Sequence, residues 1–211
     1  MDNTLTSALR TVLGARGLRF AAATLTLFAA TLVAAVPGAS ARPRYIAYAA
    51  QTCANANTPI VGATPSEMRT AVVCLINSQR AARHLPALHE QGSLNRSAQG
   101  WTNHMVAGGQ FSHGADFGAR ITAAGFDWST AAENIAFGFA TPQKVVTAWM
   151  ASLGHCQNIL SPAYSDVGTG LSRHAVLGGG TGTWTQDFGL PMGQRAPSHN
   201  FKPAEGCPYA G

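Results

Sequence analysis

Apolar residues are arranged in three ways along this chain, and each arrangement predicts different structure. The first is one unbroken run from Phe20 to Val36, preceded by Arg10, Arg16 and Arg19 and followed by Pro37-Gly38 and Ala39-Ser40-Ala41. A basic start, an apolar middle and a small-residue end are the three parts of a secretory signal, and they predict cleavage ahead of Arg42. At about 17 residues the run sits at the low edge of membrane-spanning length, so a retained anchor is the competing reading. No second run of that length follows, and no stable membrane span is expected after cleavage.

The second arrangement has the helical period. Thr64-Pro65-Ser66-Glu67 offers an N-cap, a proline at the first helical position and a glutamate three residues after the cap. Met68, Val72, Leu75 and Ile76 follow at helical spacing, Asn77 and Arg80 sit near the end, and Pro86 breaks the pattern. A second helix is predicted from Ser93 to about Ala107, with Leu94, Ala98, Trp101 and Met105 as its stripe and Gly108-Gly109 as its stop. A short helix is predicted around Phe117–Ala124, ended by Gly125. Another opens at Thr141-Pro142 and buries Val145, Val146, Trp149 and Met150.

The third arrangement alternates. Ala132–Phe139 is apolar apart from Glu133 and Asn134. Val167, Thr169 and Leu171 alternate, as do Trp184, Gln186 and Phe188, with Gly178–Gly182 between them as a hairpin loop. Helices come first and a mainly antiparallel sheet last, which predicts an α+β layered domain. The expected organisation is a signal at 1–41, an irregular arm at 42–63, the domain at 64–192 and a tail at 193–211.

Charge changes this picture little. The whole chain carries +5, and removal of residues 1–41 leaves 11 basic and 8 acidic residues, a net +3. No basic block interleaves with aromatic residues, so no nucleic-acid partner is expected. The cysteines add more. Cys53, Cys74, Cys156 and Cys207 are even in number and belong to a chain predicted to enter an oxidising compartment, so two disulfides are expected. Four cysteines allow three pairings. Cys53–Cys74 with Cys156–Cys207 is the favoured one, because it would staple the arm to the first helix and the tail to the domain.

Recognised catalytic motifs are absent: no Gly-x-Ser-x-Gly, no His-Glu-x-x-His and no Gly-x-Gly-x-x-Gly. What remains is a set of polar residues in apolar or small-residue settings: His113, Glu133-Asn134 and His155. Two imidazoles and a carboxylate suit zinc or another divalent ion, and they equally suit acid/base work. Their spacings of 20 and 22 residues form no local motif. His84, His89, His104, His174 and His199 are read as surface or structural groups, and Trp101, Trp149 and Trp184 as core.

Taken together, seven segments resemble the CAP superfamily, or SCP domain, of cysteine-rich secretory proteins, antigen 5 and plant pathogenesis-related 1 proteins, and most resemble its bacterial members. They are Asn77-Ser78-Gln79-Arg80, Phe111-Ser112-His113, Glu133-Asn134-Ile135-Ala136, Thr141-Pro142 to Trp149-Met150, Gly154-His155 with Asn158-Ile159-Leu160, Val167-Gly168-Thr169-Gly170, and Trp184 to Gly189. The resemblance implies a three-layer α-β-α sandwich. It also implies a cleft at His113, Glu133 and His155, with Asn134 beside it, that in some members binds zinc or another divalent metal.

The chain departs from the animal and plant pattern in one respect. No second cleft glutamate follows Trp149, and Ser152 stands near its expected place. Cys156 beside His155 suggests a disulfide bracing the site. The resemblance implies a secreted binding protein for an extracellular small molecule of lipid or sterol class; a monomer with no organic cofactor is expected. A metal-dependent hydrolase using His113, Glu133 and His155 is the alternative, and a structural or cell-envelope interaction protein the third.

Overall fold

The first helix, α1 (Pro65–Ala81), begins where its capping chemistry places it. The Glu67 N–H donates to Thr64 Oγ1, and the Thr64 N–H donates to the Glu67 carboxylate at 2.7 Å, closing a capping box. The computed structural model describes residues 53–178 and 180–208, all within one compact unit. The predicted signal and residues 42–52 of the arm lie outside the described residues.

Four further helices follow: α2 (Gly92–Gly108), α3 (Phe117–Ala123), α4 (Pro142–Met150) and α5 (Leu153–Leu160). Helices α1 to α4 match the hydrophobic stripes within a residue or two. Helix α5 has no counterpart in the periodicity reading. It spans only eight residues and starts on Leu153-Gly154, so its buried set of Cys156, Ile159 and Leu160 is too short to show a period.

Among the described residues four strands form one sheet: β1 (His89–Glu90), β2 (Trp128–Phe137), β3 (Asp166–His174) and β4 (Thr181–Pro191), in the order β1-β3-β4-β2. The β1–β3 pair is parallel and the other two pairs are antiparallel. Strand β2 is displaced from the predicted Ala132–Phe139. Pairing with β4 draws Trp128–Ala131 into the ladder, and Gly138, at φ +83°, ends it.

Side chains on the two faces of the sheet join separate cores. Ala132, Ala136, Val167, Leu171, Trp184 and Phe188 pack with α1, α4 and α5. On the opposite face Ala131 and Ile135 join clusters containing Leu94 and Met105 of α2 and Ile121 of α3. The result is the expected three-layer α-β-α sandwich.

The free edge of β3 is closed by side chains. Beyond the two-residue β1, the Thr169 N–H donates to Asn95 and the Leu171 N–H to Gln99, while Gln99 Nε2 returns a bond to the Leu171 carbonyl. Arg69 Nε donates to the Thr169 carbonyl. Asn95 and Gln99 are four apart on α2 and therefore face the strand together. They satisfy backbone groups that would otherwise be an open edge.

Both ends of the domain are tied down by the favoured disulfides, Cys53–Cys74 and Cys156–Cys207. Residues 53–62 differ from the irregular arm expected there. Cys53, Ala56 and Ile60 are buried in the main core, and Ile60–Gly62 form a 3-10 turn. The Ile60 N–H donates to the Ala140 carbonyl and the Gln143 N–H to that of Ala56. Replacing Cys156 and Cys207 together with alanine is expected to lower stability by about 2–4 kcal/mol, measured as the shift in urea midpoint against the intact protein.

Candidate functional site

Strand β2 lies at one edge of the sheet, and its alternation sends Glu133 toward α2 and α3 while Asn134 turns to the other face. The Glu133 side chain has no accessible surface. One carboxylate oxygen meets His113 Nδ1 at 2.8 Å, and the other accepts from Arg120 Nη2 of α3. Arg120 Nη1 also donates to the His113 carbonyl at 3.0 Å, and its guanidinium lies 3.8 Å from the centroid of the Trp101 ring. Trp101 Nε1 in turn donates to the Ser112 carbonyl. The loop bearing His113 is therefore held at Ser112, at its own carbonyl and at its ring.

A second carboxylate stands directly across the sheet. Asp187 on β4 is the register partner of Glu133 and is 1 % exposed. Among the described residues its oxygens meet no partner at full hydrogen-bonding geometry, but the buried Ser97 hydroxyl of α2 and the Glu133 carboxylate lie near enough to share a proton with it. Burial, and then the neighbouring Glu133 charge, push the Asp187 carboxyl up to about 8, against the opposing pull of Ser97 and Arg120. Burial also raises Glu133, with Arg120 opposing. The pair therefore retains a proton where an exposed pair of carboxylates would hold none.

The two histidines are shifted the other way. Burial, then Arg120, lowers His113; burial, then His113, lowers His155. Both rings are thus favoured in the neutral form at neutral pH, the form that binds metal or accepts a proton. His155 sits on α5, half-buried, and its carbonyl accepts from Asn134 Nδ2 at 3.2 Å. Asn158 Nδ2, from the same helix, donates to Asn134 Oδ1 at 2.9 Å and to the Glu133 carbonyl at 3.4 Å. This amide network docks α5 on β2 and sets His155 beside the Glu133 segment.

The residues expected at the cleft thus divide. His113 and Glu133 are in direct contact, and His155 is near enough to His113 to feel its charge. Asn134 is 0 % exposed and belongs to the buried network, so it supports the site from behind. Ser152 is the half-buried N-cap of α5, and its side chain makes no capping bond. Among the described residues no three His, Cys, Asp or Glu side chains are gathered as a metal-binding group.

Trp101, expected in the core, is half-buried beneath Arg120, whereas Trp149 and Trp184 are buried. Arg120, Asp187, Ser97 and Trp101 are the cluster members that reading the sequence missed. A signal existed for Asp187, a carboxylate inside an apolar strand, the situation that marks Glu133.

The sign of the pH response follows from these shifts. Asp187 and Glu133, raised in the fold, add stability that is complete below the ordinary carboxylate range and is lost as pH rises through about 8. His113 and His155, lowered in the fold, act in the opposite sense and cost stability as pH falls through their ordinary value of 6.5. Stability should therefore fall as pH rises from about 6.5 to about 8 and level off above that. Asp187→Asn, which keeps the shape of the neutral acid, should flatten that fall and exceed the parent at about pH 9 by about 1–3 kcal/mol in urea unfolding.

The sequence profile of the Cysteine-rich secretory protein family, CAP, matches residues 73–188, more than half of the chain. The chain belongs to this family. The matched segment contains every member of the cluster. Among curated relatives, the uncharacterized protein YkwD of Bacillus subtilis is 35% identical over 122 residues, covering 56% of this chain and 45% of YkwD. The chain thus spans less than half the length of that relative.

Among solved structures, an extracellular SCP-domain protein from Bacillus anthracis is similar at TM-score 0.51 and 24% identity, covering 60% of this chain and 44% of that one. A cysteine-rich secretory protein from Staphylococcus aureus is similar at 0.51 and 16%, covering 59% and 39%. An outer surface protein from Borrelia burgdorferi matches at 0.50 and 18%, covering 55% and 86%. At these identities the structures establish the CAP fold.

Proposed function

We propose that this CAP domain is an extracellular binding protein whose cleft, between the His113 loop and the start of α5, holds an amphipathic small molecule of lipid or sterol class. The observation that carries this reading is an exposed apolar side chain in the loop that presents the His113 ring. Phe111, two residues before His113, is 36% exposed, and the His113 ring is half-exposed. A ligand with a polar head and an apolar body would place the head against the imidazole and the body across Phe111. Glu133 serves as a holder, since both of its oxygens are already bonded. The predicted export signal and the two disulfides support an oxidising, extracellular setting.

A divalent ion such as zinc would find two donors here, the imidazoles of His113 and His155, with solvent completing its shell. His113 Nδ1 is taken by Glu133, which leaves Nε2 to face an ion, and a carboxylate behind a metal-binding histidine is the usual support for its orientation. Bound there, the ion would supply positive charge for an anionic head group. Glu133 would keep His113 in the tautomer that presents Nε2.

The test is titration of the mature protein with cis-parinaric acid and with cholesterol, with and without zinc. Saturable binding is expected, weakened about tenfold by His113→Ala, whose half-exposed ring makes little demand on the fold. Binding no stronger than to denatured protein would refute the reading.

The contact of Glu133 with His113 favours a second reading, metal-dependent hydrolysis, in which His113 and His155 would hold the ion and Glu133 would be a third ligand or the base that activates water. Peptide hydrolysis that disappears in both His113→Ala and Glu133→Gln would establish it, and activity that survives both would exclude it.

A further inference from the structure

Helix α5 has a second wall. Opposite it, the tail beyond the family-matched segment folds back in a 3-10 turn, Pro203–Gly206, and the two border an open groove of about 390 Å³ lined by Gln157, Asn158, Ser161, Tyr164, Phe201 and Lys202, among others. We infer that this groove is a binding site for a short acidic saccharide, separate from the histidine cleft.

The groove is built in advance of any ligand. Cys156–Cys207 ties the tail to α5, and Arg83 Nε donates to the Gly206 carbonyl at 2.8 Å. The His199 ring accepts from the Phe201 N–H through Nδ1 and donates from Nε2 to the His84 carbonyl, so a single neutral tautomer makes both bonds. Little ordering is left for a ligand to impose.

The lining selects the chemistry. Tyr164 and Phe201 provide flat apolar surface for the C–H face of a sugar ring. Burial raises the Tyr164 phenol above its ordinary value, so its O–H remains a donor. The Gln157 amide both donates and accepts, the Ser161 hydroxyl can donate while it accepts from the Ala163 N–H, and Asn158, whose N–H groups are held by Asn134 and Glu133, can only accept, so the wall offers both kinds of partner to sugar hydroxyls. Lys202 is the one cation on the wall. Its one ion pair among the described residues, with Glu205 at 3.0 Å, is exposed on both sides and weak, so a ligand carboxylate can replace it. A peptide is disfavoured because the tail turns on itself, the Glu205 N–H bonding the Lys202 carbonyl, and offers no strand edge to pair with.

The experiment is a titration of the ¹⁵N-labelled mature protein, disulfides intact, with digalacturonic acid, the neutral disaccharide cellobiose and an acetylated tripeptide. Digalacturonic acid should shift the backbone amides of 157–164 and 201–204 and leave those of 111–113 in place. Cellobiose should bind about tenfold more weakly, and Lys202→Gln, a surface change, should weaken digalacturonic acid by the same factor. The proposal fails if digalacturonic acid moves none of these amides at millimolar concentration, if Lys202→Gln leaves its affinity unchanged, or if the tripeptide binds the groove more tightly. These outcomes are independent of lipid or metal binding at His113 and His155.

Discussion

Replacing Gly170 with alanine is expected to destabilise the domain by more than about 3 kcal/mol, and replacing Gly168 as well is expected to leave no folded protein. Helix α2 crosses β3 so closely that a methyl group at Gly170 would stand 2.2 Å from the backbone carbonyl atoms of Ala98. At Gly168 it would stand 2.1 Å from the Leu94 carbonyl carbon. Neither contact can be relieved by turning a side chain.

The helix cannot easily retreat either. Asn95 and Gln99 hold the β3 backbone, and Thr102 donates to Thr185 at 2.9 Å in the interior. Retreat would sacrifice the closure of the sheet edge together with the contacts of Leu94 and Ala98. Gly100, on the exposed side of the same helix, is the control. It has nothing within 4 Å of an added methyl, and Gly100→Ala should gain up to about 1 kcal/mol from helix propensity. Circular dichroism and urea unfolding of the variants decide the matter; a Gly170→Ala protein as stable as the parent would overturn the packing argument.

Arg80→Met is the second large effect, expected to cost about 3–5 kcal/mol in urea unfolding. Arg80 is 1 % exposed, and its guanidinium donates to the carbonyls of Pro86 at 2.7 Å, Ile159 at 2.9 Å and Ser161 at 2.7 Å. Burial depresses it to about 10, an indication of how much the cation's desolvation opposes the fold. The three bonds offset that cost by joining the loop after α1 to the C-terminal end of α5.

Methionine has similar reach and no donors, so it would leave the buried Ile159 carbonyl and the part-buried carbonyls of Pro86 and Ser161 without their donor. Arg80→Lys should recover only part of the loss, because one ammonium cannot reproduce the fork that spans Pro86, Ile159 and Ser161. A loss below about 1 kcal/mol in Arg80→Met would show that water replaces the guanidinium at those carbonyls.

Several features of the site were legible before any coordinates. His113 and Glu133 stand out as polar residues in small or apolar surroundings, and burying such a group requires a partner. Each proves to be part of the other's partnership. Arg120 and Asp187 did not stand out for opposite reasons. Arg120 is a lone cation in a seven-residue helix, where surface exposure is the ordinary reading, and only the fold of its loop brings it over Trp101 and onto Glu133. Asp187 alternates with Trp184, Gln186 and Phe188, which assigns it to the outer face of a half-buried strand. Helix α2 covers that face as well, and the strand is buried on both sides.

The sequence by itself determined the local units and their class: the cap at Thr64, the helical stripes of α1 to α4, the alternating strands and the family to which these pieces belong. Each depends on neighbours within a turn or two of chain, or on a motif kept in order, and such information is linear. The tertiary structure alone decided what faces what. It joined Glu133 to Asp187 through strand register, set Arg120 between Trp101 and Glu133, assigned Asn134 to the support of α5, and folded the tail into the wall of a second groove. Those pairings span from 13 to more than 50 residues of chain, and they arise from the way three layers close on one another.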